Sequence, residues 1–367
     1  MKQITYTESV ETGNSFRAEY LDGVKKIIEK RIEKADKSRR EFDKRLVSEP
    51  EVYRRQLIEM CGWPLTERFQ CGEESESLQR ITAAELPNVR KQFITKDGEY
   101  SIYRMQLEVM SGLWFYGILF VNEDGCKRPF VIAQHGNLGT PERISSLIDG
   151  YSGNYNEMNN RILTRDVNVF APQMLMWRSD VFGNEYDRNK LDAQLKQCGS
   201  SIIALELYSL MRSLDWFEKE DYVDRDCIGM VGMSMGGMYT MYMSAIDQRI
   251  GSAVASSFFC RHYDVLNPNY IFRNAGSSFM DAEKIMLVRP RKIYLAMGDE
   301  DALFKASDSI KEFEIIKEIY PDWQEWCDLH IFKGTHEFIP NDELLDRMIS
   351  DLKRKTNMQE GSEKDEK

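Results

Sequence analysis

Apolar positions at the start of the chain recur with the period of a helix. Leu21, Val24, Ile28 and Ile32 fall three or four residues apart, and Phe42 and Leu46 resume the stripe. Charged residues fill the intervals, so residues 1–60 are predicted to be helical, with one apolar face that needs a core to cover it. Near residue 90 the period shortens to two. Residues 92–95 and 102–109 alternate polar with apolar around an Asp97-Gly98 turn, and 114–121 follows after Ser111-Gly112. Alternation punctuated by such turns predicts an antiparallel meander.

Beyond residue 125 the apolar runs become short and continuous, at 130–133, 167–171, 228–231, 252–255, 292–296 and 329–332. Continuous runs mark strands buried on both faces, as in parallel sheets. Helical patterns lie between and after them at 189–217, 236–246, 307–319 and 341–355. Strand and helix in alternation predict an α/β fold. Its sheet should be mostly parallel and twisted, with antiparallel N-terminal strands and helices on both faces.

Composition narrows the function classes. The 367 residues carry 49 Lys plus Arg against 60 Asp plus Glu, a net charge of −11. That balance argues against general nucleic-acid binding, which needs surplus cations. The ten basic and five acidic residues between Lys25 and Arg45 read as a solvated helix face, because the signs are mixed. No uncharged apolar run reaches the ~18 residues of a membrane span. The first residues lack the basic-then-apolar order of a secretory signal. Seven scattered cysteines form no CxxC pair or metal-ligand spacing, so reduced thiols, a cytoplasmic location and no metal are expected.

Gly232-Met233-Ser234-Met235-Gly236 fits G-x-S-x-G, directly after the 228–231 run and directly before a helical pattern. A strand turning sharply into a helix lifts its central side chain above the sheet. The helix N-terminus offers N–H groups to an oxyanion, which makes Ser234 a candidate nucleophile and Met235 a candidate oxyanion donor. A serine needs a base, and the chain has four histidines. His336, in Gly334-Thr335-His336, occupies the turn after the last predicted strand, where parallel sheets present their chemistry. His330 lies within that strand, and His262 precedes any candidate acid. The imidazole in turn needs a carboxylate, and Asp299, Glu300 and Asp301 compete for that place after the 292–296 run. After the 130–133 run, Gln134-His135-Gly136-Asn137 supplies a second turn. Gly136 lets the backbone curl so that the Asn137 N–H joins that of Met235 in an oxyanion hole formed by Met235, Asn137 and Gly136, with His135 fixing the loop instead of acting as a base.

With these pieces placed, the chain resembles the α/β-hydrolase superfamily. It is most similar to the branch of acetyl xylan esterases and dienelactone-hydrolase-like enzymes. The resemblance covers roughly residues 45–355 and rests on His135-Gly136, Phe170-Ala171-Pro172, Ser213-Leu214-Asp215-Trp216, the elbow with its strand, Pro290-Arg291-Lys292-Ile293, Gly298-Asp299-Glu300-Asp301 and Gly334-Thr335-His336. In that branch the acid stands three residues after the turn glycine, which selects Asp301. The resemblance implies a serine carboxylic-ester hydrolase that forms an acyl-enzyme on Ser234, with His336 as base and no cofactor. Its substrates would be small or carbohydrate acyl esters, chiefly acetyl esters.

On this reading residues 1–88 form a helical extension packed on the core, 89–355 the catalytic α/β-hydrolase domain, and 356–367 a disordered tail. Gln173 departs from the aspartate that relatives carry after Ala171-Pro172. His135, Trp177 and Arg178 are candidate substrate contacts on one side of the pocket, and His262 and Tyr270 on the other. A homo-oligomer is left open. Two rivals remain, a prolyl-oligopeptidase-like peptidase and an inert binding module of the same fold. The first needs a propeller that about 90 leading residues cannot supply. The second ordinarily lacks a member of the triad.

Overall fold

The computed structural model describes residues 5–68, 85–148, 153–263 and 268–365, with side chains as far as Arg354. Its centre is a nine-stranded sheet. The strands are β1 (Asn88–Asp97), β2 (Tyr100–Met110), β3 (Leu113–Asn122), β4 (Arg128–Gln134), β5 (Asn168–Pro172), β6 (Val223–Met233), β7 (Ile250–Ser256), β8 (Lys292–Gly298) and β9 (Cys327–Phe332). They lie in the order β1-β2-β3-β5-β4-β6-β7-β8-β9. β1, β2, β3 and β5 pair antiparallel in succession, and every pair from β5 and β4 to β9 is parallel. This is the α/β-hydrolase fold, with its antiparallel opening where the period-two pattern placed it.

Seven helices of ten residues or more occur among the described residues: α1 (Asn14–Ser48), α2 (Pro50–Cys61), α3 (Arg188–Gln197), α4 (Ile202–Phe217), α5 (Met235–Ile246), α6 (Ala306–Ile319) and α7 (Glu343–Asp365). Alternate strand residues serve two apolar layers. Phe130, Ile132, Ile228 and Met230 join the α2, α4 and α5 side chains Leu57, Leu207, Leu210 and Met238. Val131, Ala133, Val231 and Met233 face the other layer, closed by Leu344, Leu345, Met348 and Leu352 of α7. Truncating a fully buried leucine such as Leu57 or Leu210 should cost about 2–5 kcal/mol.

Three expectations are corrected. The single helix expected over 189–217 is two, α3 and α4. Gly199 takes a φ of +76° between them. Ser201 then caps α4 by accepting from the Ala204 amide, and its hydroxyl donates to the Cys61 carbonyl at the end of α2. The break is thus where the N-terminal helices lock into the body. Second, the polar tail expected from 356 continues as helix to Asp365. Third, the apolar stripe of α1 is only partly covered. Arg39, Phe42, Asp43 and Leu46 are buried on the body, whereas Leu21 is 54% and Ile28 52% exposed. The six described cysteines form no disulfide with one another, and Cys71 lies outside the described residues. No described helix is long and apolar enough to cross a membrane.

Candidate active site

β6 ends at Met233 and α5 begins at Met235, so Ser234 is the whole turn. It holds φ 58° and ψ −127°, a conformation that costs a non-glycine residue on the order of 1–3 kcal/mol. The Ser234 amide donates to the Ser256 carbonyl on β7 at 2.8 Å, which pins the turn. A Cβ on Gly232 would collide with the Gly236 carbonyl, so the elbow closes only with glycine there.

His336 comes from the loop after β9 and Asp301 from the turn after β8. The Ser234 hydroxyl donates to His336 Nε2 at 2.9 Å, and His336 Nδ1 donates to Asp301 Oδ2 at 2.8 Å. The second carboxylate oxygen of Asp301 accepts the Leu303 and Phe304 amides at 2.8 and 2.9 Å. Burial opposes its charge. The hydrogen bonds from His336 and those amides outweigh burial and hold the Asp301 carboxyl below the ordinary aspartate range. Of its competitors, Asp299 accepts the Gly334 amide at 3.0 Å, which ties the two turns together, and Glu300 is exposed. Only Asp301 of the three carboxylates meets His336.

The β4 loop lies against the serine. A Cβ on Gly136 would stand 2.9 Å from Ser234 Cβ and 2.8 Å from the Met233 carbonyl, so only a bare backbone fits. The Gly136 amide, expected among the oxyanion donors, is already spent on the Tyr155 hydroxyl at 2.9 Å. Gly136 therefore supplies space and not a donor. The Asn137 amide has no acceptor among the described residues, and Met235 is the first residue of α5, whose leading N–H groups lack intrahelical partners.

A model of the Dienelactone hydrolase family matches residues 146–350. The chain belongs to the dienelactone hydrolase family. It is 24% identical over 195 residues to YtaP of Bacillus subtilis (strain 168), a suggested hydrolase, over 48% of this chain and 62% of YtaP. It thus spans less than two thirds of that relative's length. Among solved structures, a suggested acetyl xylan esterase from Bacteroides fragilis NCTC 9343 superposes with a TM-score of 0.61 at 14% identity, over 80% of this chain and 77% of that one. The glucuronoyl esterase of Solibacter usitatus gives 0.56 at 11% identity, over 83% and 91%. At such identities the structural likeness concerns the fold alone.

In this dienelactone hydrolase family member the remaining candidates divide. His135 is fully buried and is removed from the substrate contacts. Its Nδ1 donates to the Gly136 carbonyl at 2.8 Å, and its Nε2 accepts the Met174 amide at 3.1 Å. Burial lowers its pKa to about 4, so the ring is neutral. Gln173 places its amide nitrogen 3.1 Å from the same Nε2. Trp177 donates to the Gly183 carbonyl at 3.0 Å and packs on Tyr186, while one face lines a cavity of about 490 Å³ with Arg104, Tyr116, Glu142 and Gln173. Arg178 is exposed, pairs with Asp180 and is not part of that lining.

His262 and Tyr270 lie behind His336, on the far side of Phe258 and Phe304. Both rings pack on Phe258, Phe258 packs on Phe304, and Phe304 stacks on His336. His262 Nε2 meets Asp281 at 2.6 Å, and Cys260 Sγ lies 3.6 Å from its Nδ1. The donor atoms of these three residues fall within 4.8 Å of one another. They do not converge on one point, because Asp281 faces the opposite ring nitrogen from Cys260. Lys284 occupies the other Asp281 oxygen at 2.6 Å.

Several supporting residues had no signal in the sequence. Asn154 donates to the His336 carbonyl at 3.1 Å and accepts the Phe338 amide at 2.8 Å. The Ser257 hydroxyl holds the Glu337 carbonyl at 2.6 Å. A buried Arg188–Glu206 pair at 2.7 Å, completed by Tyr239, anchors both the amide and the carbonyl of Leu175 beside the His135 loop.

Proposed function

We propose that this protein is a serine carboxylic-ester hydrolase. The observation that carries this is the unbroken hydrogen-bond chain from Asp301 through His336 to Ser234, at 2.8 and 2.9 Å, with Ser234 raised at the head of α5. Ser234 Oγ attacks the ester carbonyl as His336 Nε2 takes its proton. The Met235 and Asn137 amides receive the oxyanion, and Asp301 stabilises the imidazolium. His336 returns the proton to the departing alcohol, leaving an acyl-enzyme on Ser234. Water, deprotonated by His336, then releases the acid.

Small or carbohydrate acyl esters, acetyl esters first, are the substrate class. Supporting this, structural relatives include esterases acting on acetyl xylan and on glucuronoyl esters. A cavity whose lining includes Trp177, Glu142 and Gln173, but not Ser234, His336 or Asp301, also combines an aromatic ring with polar groups, a mixture suited to a sugar ring. The test is hydrolysis of a short aryl acetate by the Ser234→Ala variant. Loss of turnover in a folded protein is expected, and an unchanged rate would refute the reading.

A further inference from the structure

The first part of α1 leaves the body as an arm. From Asn14 to Ser38 it offers roughly 37 Å of helix. The stripe buried at Phe42 and Leu46 continues outward along it through Leu21 and Ile28, which are about half exposed, and on the neighbouring face Phe16 is 73%, Tyr20 77% and Ile27 62% exposed. At the root of the arm, Ile28, Ile32 and Phe42 face Tyr263 and Asn274 across a groove of about 760 Å³. No described residue fills this groove or covers the stripe.

Charge selects the occupant. In the arm itself residues 14–24 carry Glu19 and Asp22 against Arg17, a net of −1, and Glu8 and Glu11 precede its first turn, which makes residues 5–24 −3. Residues 25–38 carry six bases against Glu29, Glu33 and Asp36, a net of +3. A second arm laid antiparallel sets each acidic half on a basic half, whereas a parallel one sets like on like. The antiparallel arrangement is also the isologous one, in which each copy gives and receives the same contacts. Half the surface of a helix about 11 Å across and 37 Å long amounts to on the order of 640 Å² per copy, before the groove is counted. A standard interface buries about 800 Å² per partner. An anionic membrane, the other partner of an exposed amphipathic helix, would be attracted by the root of the arm but met by Glu8, Glu11, Glu19 and Asp22 at its tip, whereas a second arm matches both halves.

We infer that the arm is a dimerisation element: two copies of this chain pair their α1 helices antiparallel, and each arm tip, with Phe16 and Tyr20, enters the groove at the root of the other. The inference is independent of the hydrolytic reading.

Sedimentation velocity on the full chain tests it. Wild type should sediment as a dimer at micromolar concentration. Ile27→Glu should sediment as a monomer, and so should the double variant Glu19→Lys/Asp22→Lys. Adding Lys30→Glu/Lys34→Glu to that double variant should restore the dimer, because the swapped charges match again. Circular dichroism unchanged from wild type shows that each variant is folded. A monomeric wild type overturns the inference, as does a dimer indifferent to Ile27→Glu or a double variant not rescued by the second pair. A monomer that instead co-sediments with anionic phospholipid vesicles also overturns it and makes the arm a membrane surface.

Discussion

Phe304 stacks on His336 with ring centroids 5.6 Å apart and planes 26° from parallel, while its own amide donates to Asp301. One residue therefore constrains both the tilt of the imidazole and the carboxylate that orients it. His336 is tied at its backbone as well, through Asn154 and Phe338. Ser234, His336 and Asp301 are held by neighbours on two loops, not by their own hydrogen bonds alone.

Phe304→Ala keeps the amide and removes the ring. The imidazole gains freedom to leave the line between Ser234 and Asp301, so kcat should fall roughly tenfold or more with little change in KM. Steady-state kinetics on an aryl acetate would check this. An unchanged kcat would mean that the ring is only packing.

Asp301→Asn should leave the fold intact and lower kcat by about four orders of magnitude, because the amide favours the wrong tautomer of His336. Asp299→Asn gives the contrast. Its carboxylate joins two turns and does not meet the imidazole, so activity should stay near wild type while thermal stability falls. Equal losses of kcat in both variants would count against the assignment of the acid.

His135 links stability to pH. Its folded pKa of about 4 lies below the ordinary value of 6.5, so the unfolded chain binds its proton first as pH falls. The stabilisation is complete above pH 6.5 and is lost progressively from there to about pH 4, a change on the order of 3 kcal/mol. Urea unfolding measured across that window should show a shallower pH slope for His135→Gln than for wild type. Parallel slopes would refute the buried neutral ring.

The Arg188–Glu206 pair should matter more than its distance from Ser234 suggests. Glu206→Gln leaves Arg188 buried without its counter-charge and should destabilise the fold by about 3 kcal/mol. The exposed Arg178–Asp180 pair is the control, and Arg178→Ala should leave the denaturation midpoint where it was.

The sequence made the elbow and the sheet legible because both obey strong local rules. The 228–231 run must be a buried strand, and Gly232 and Gly236 allow only one kind of turn between it and a helix. Asp301 was less legible: three carboxylates share one turn, and only a family resemblance chose among them before their distances to His336 did. The bond from the Gly136 amide to Tyr155 is not legible, because Tyr155 belongs to a single 3-10 turn too short to show a period. The break at Gly199 was hidden because apolar spacing continues across it and its lock, the Cys61 carbonyl, belongs to a distant helix. Periodicity in α1 indicated a face that needs cover, but not whether the same chain supplies it.

The most direct measurement of the central claim is peptide mapping by mass spectrometry after treatment with a fluorophosphonate probe. The account predicts one adduct, on the peptide carrying Ser234, abolished in Ser234→Ala and strongly slowed in His336→Ala. A folded protein that takes no label at Ser234, or that labels equally with His336 removed, would contradict it.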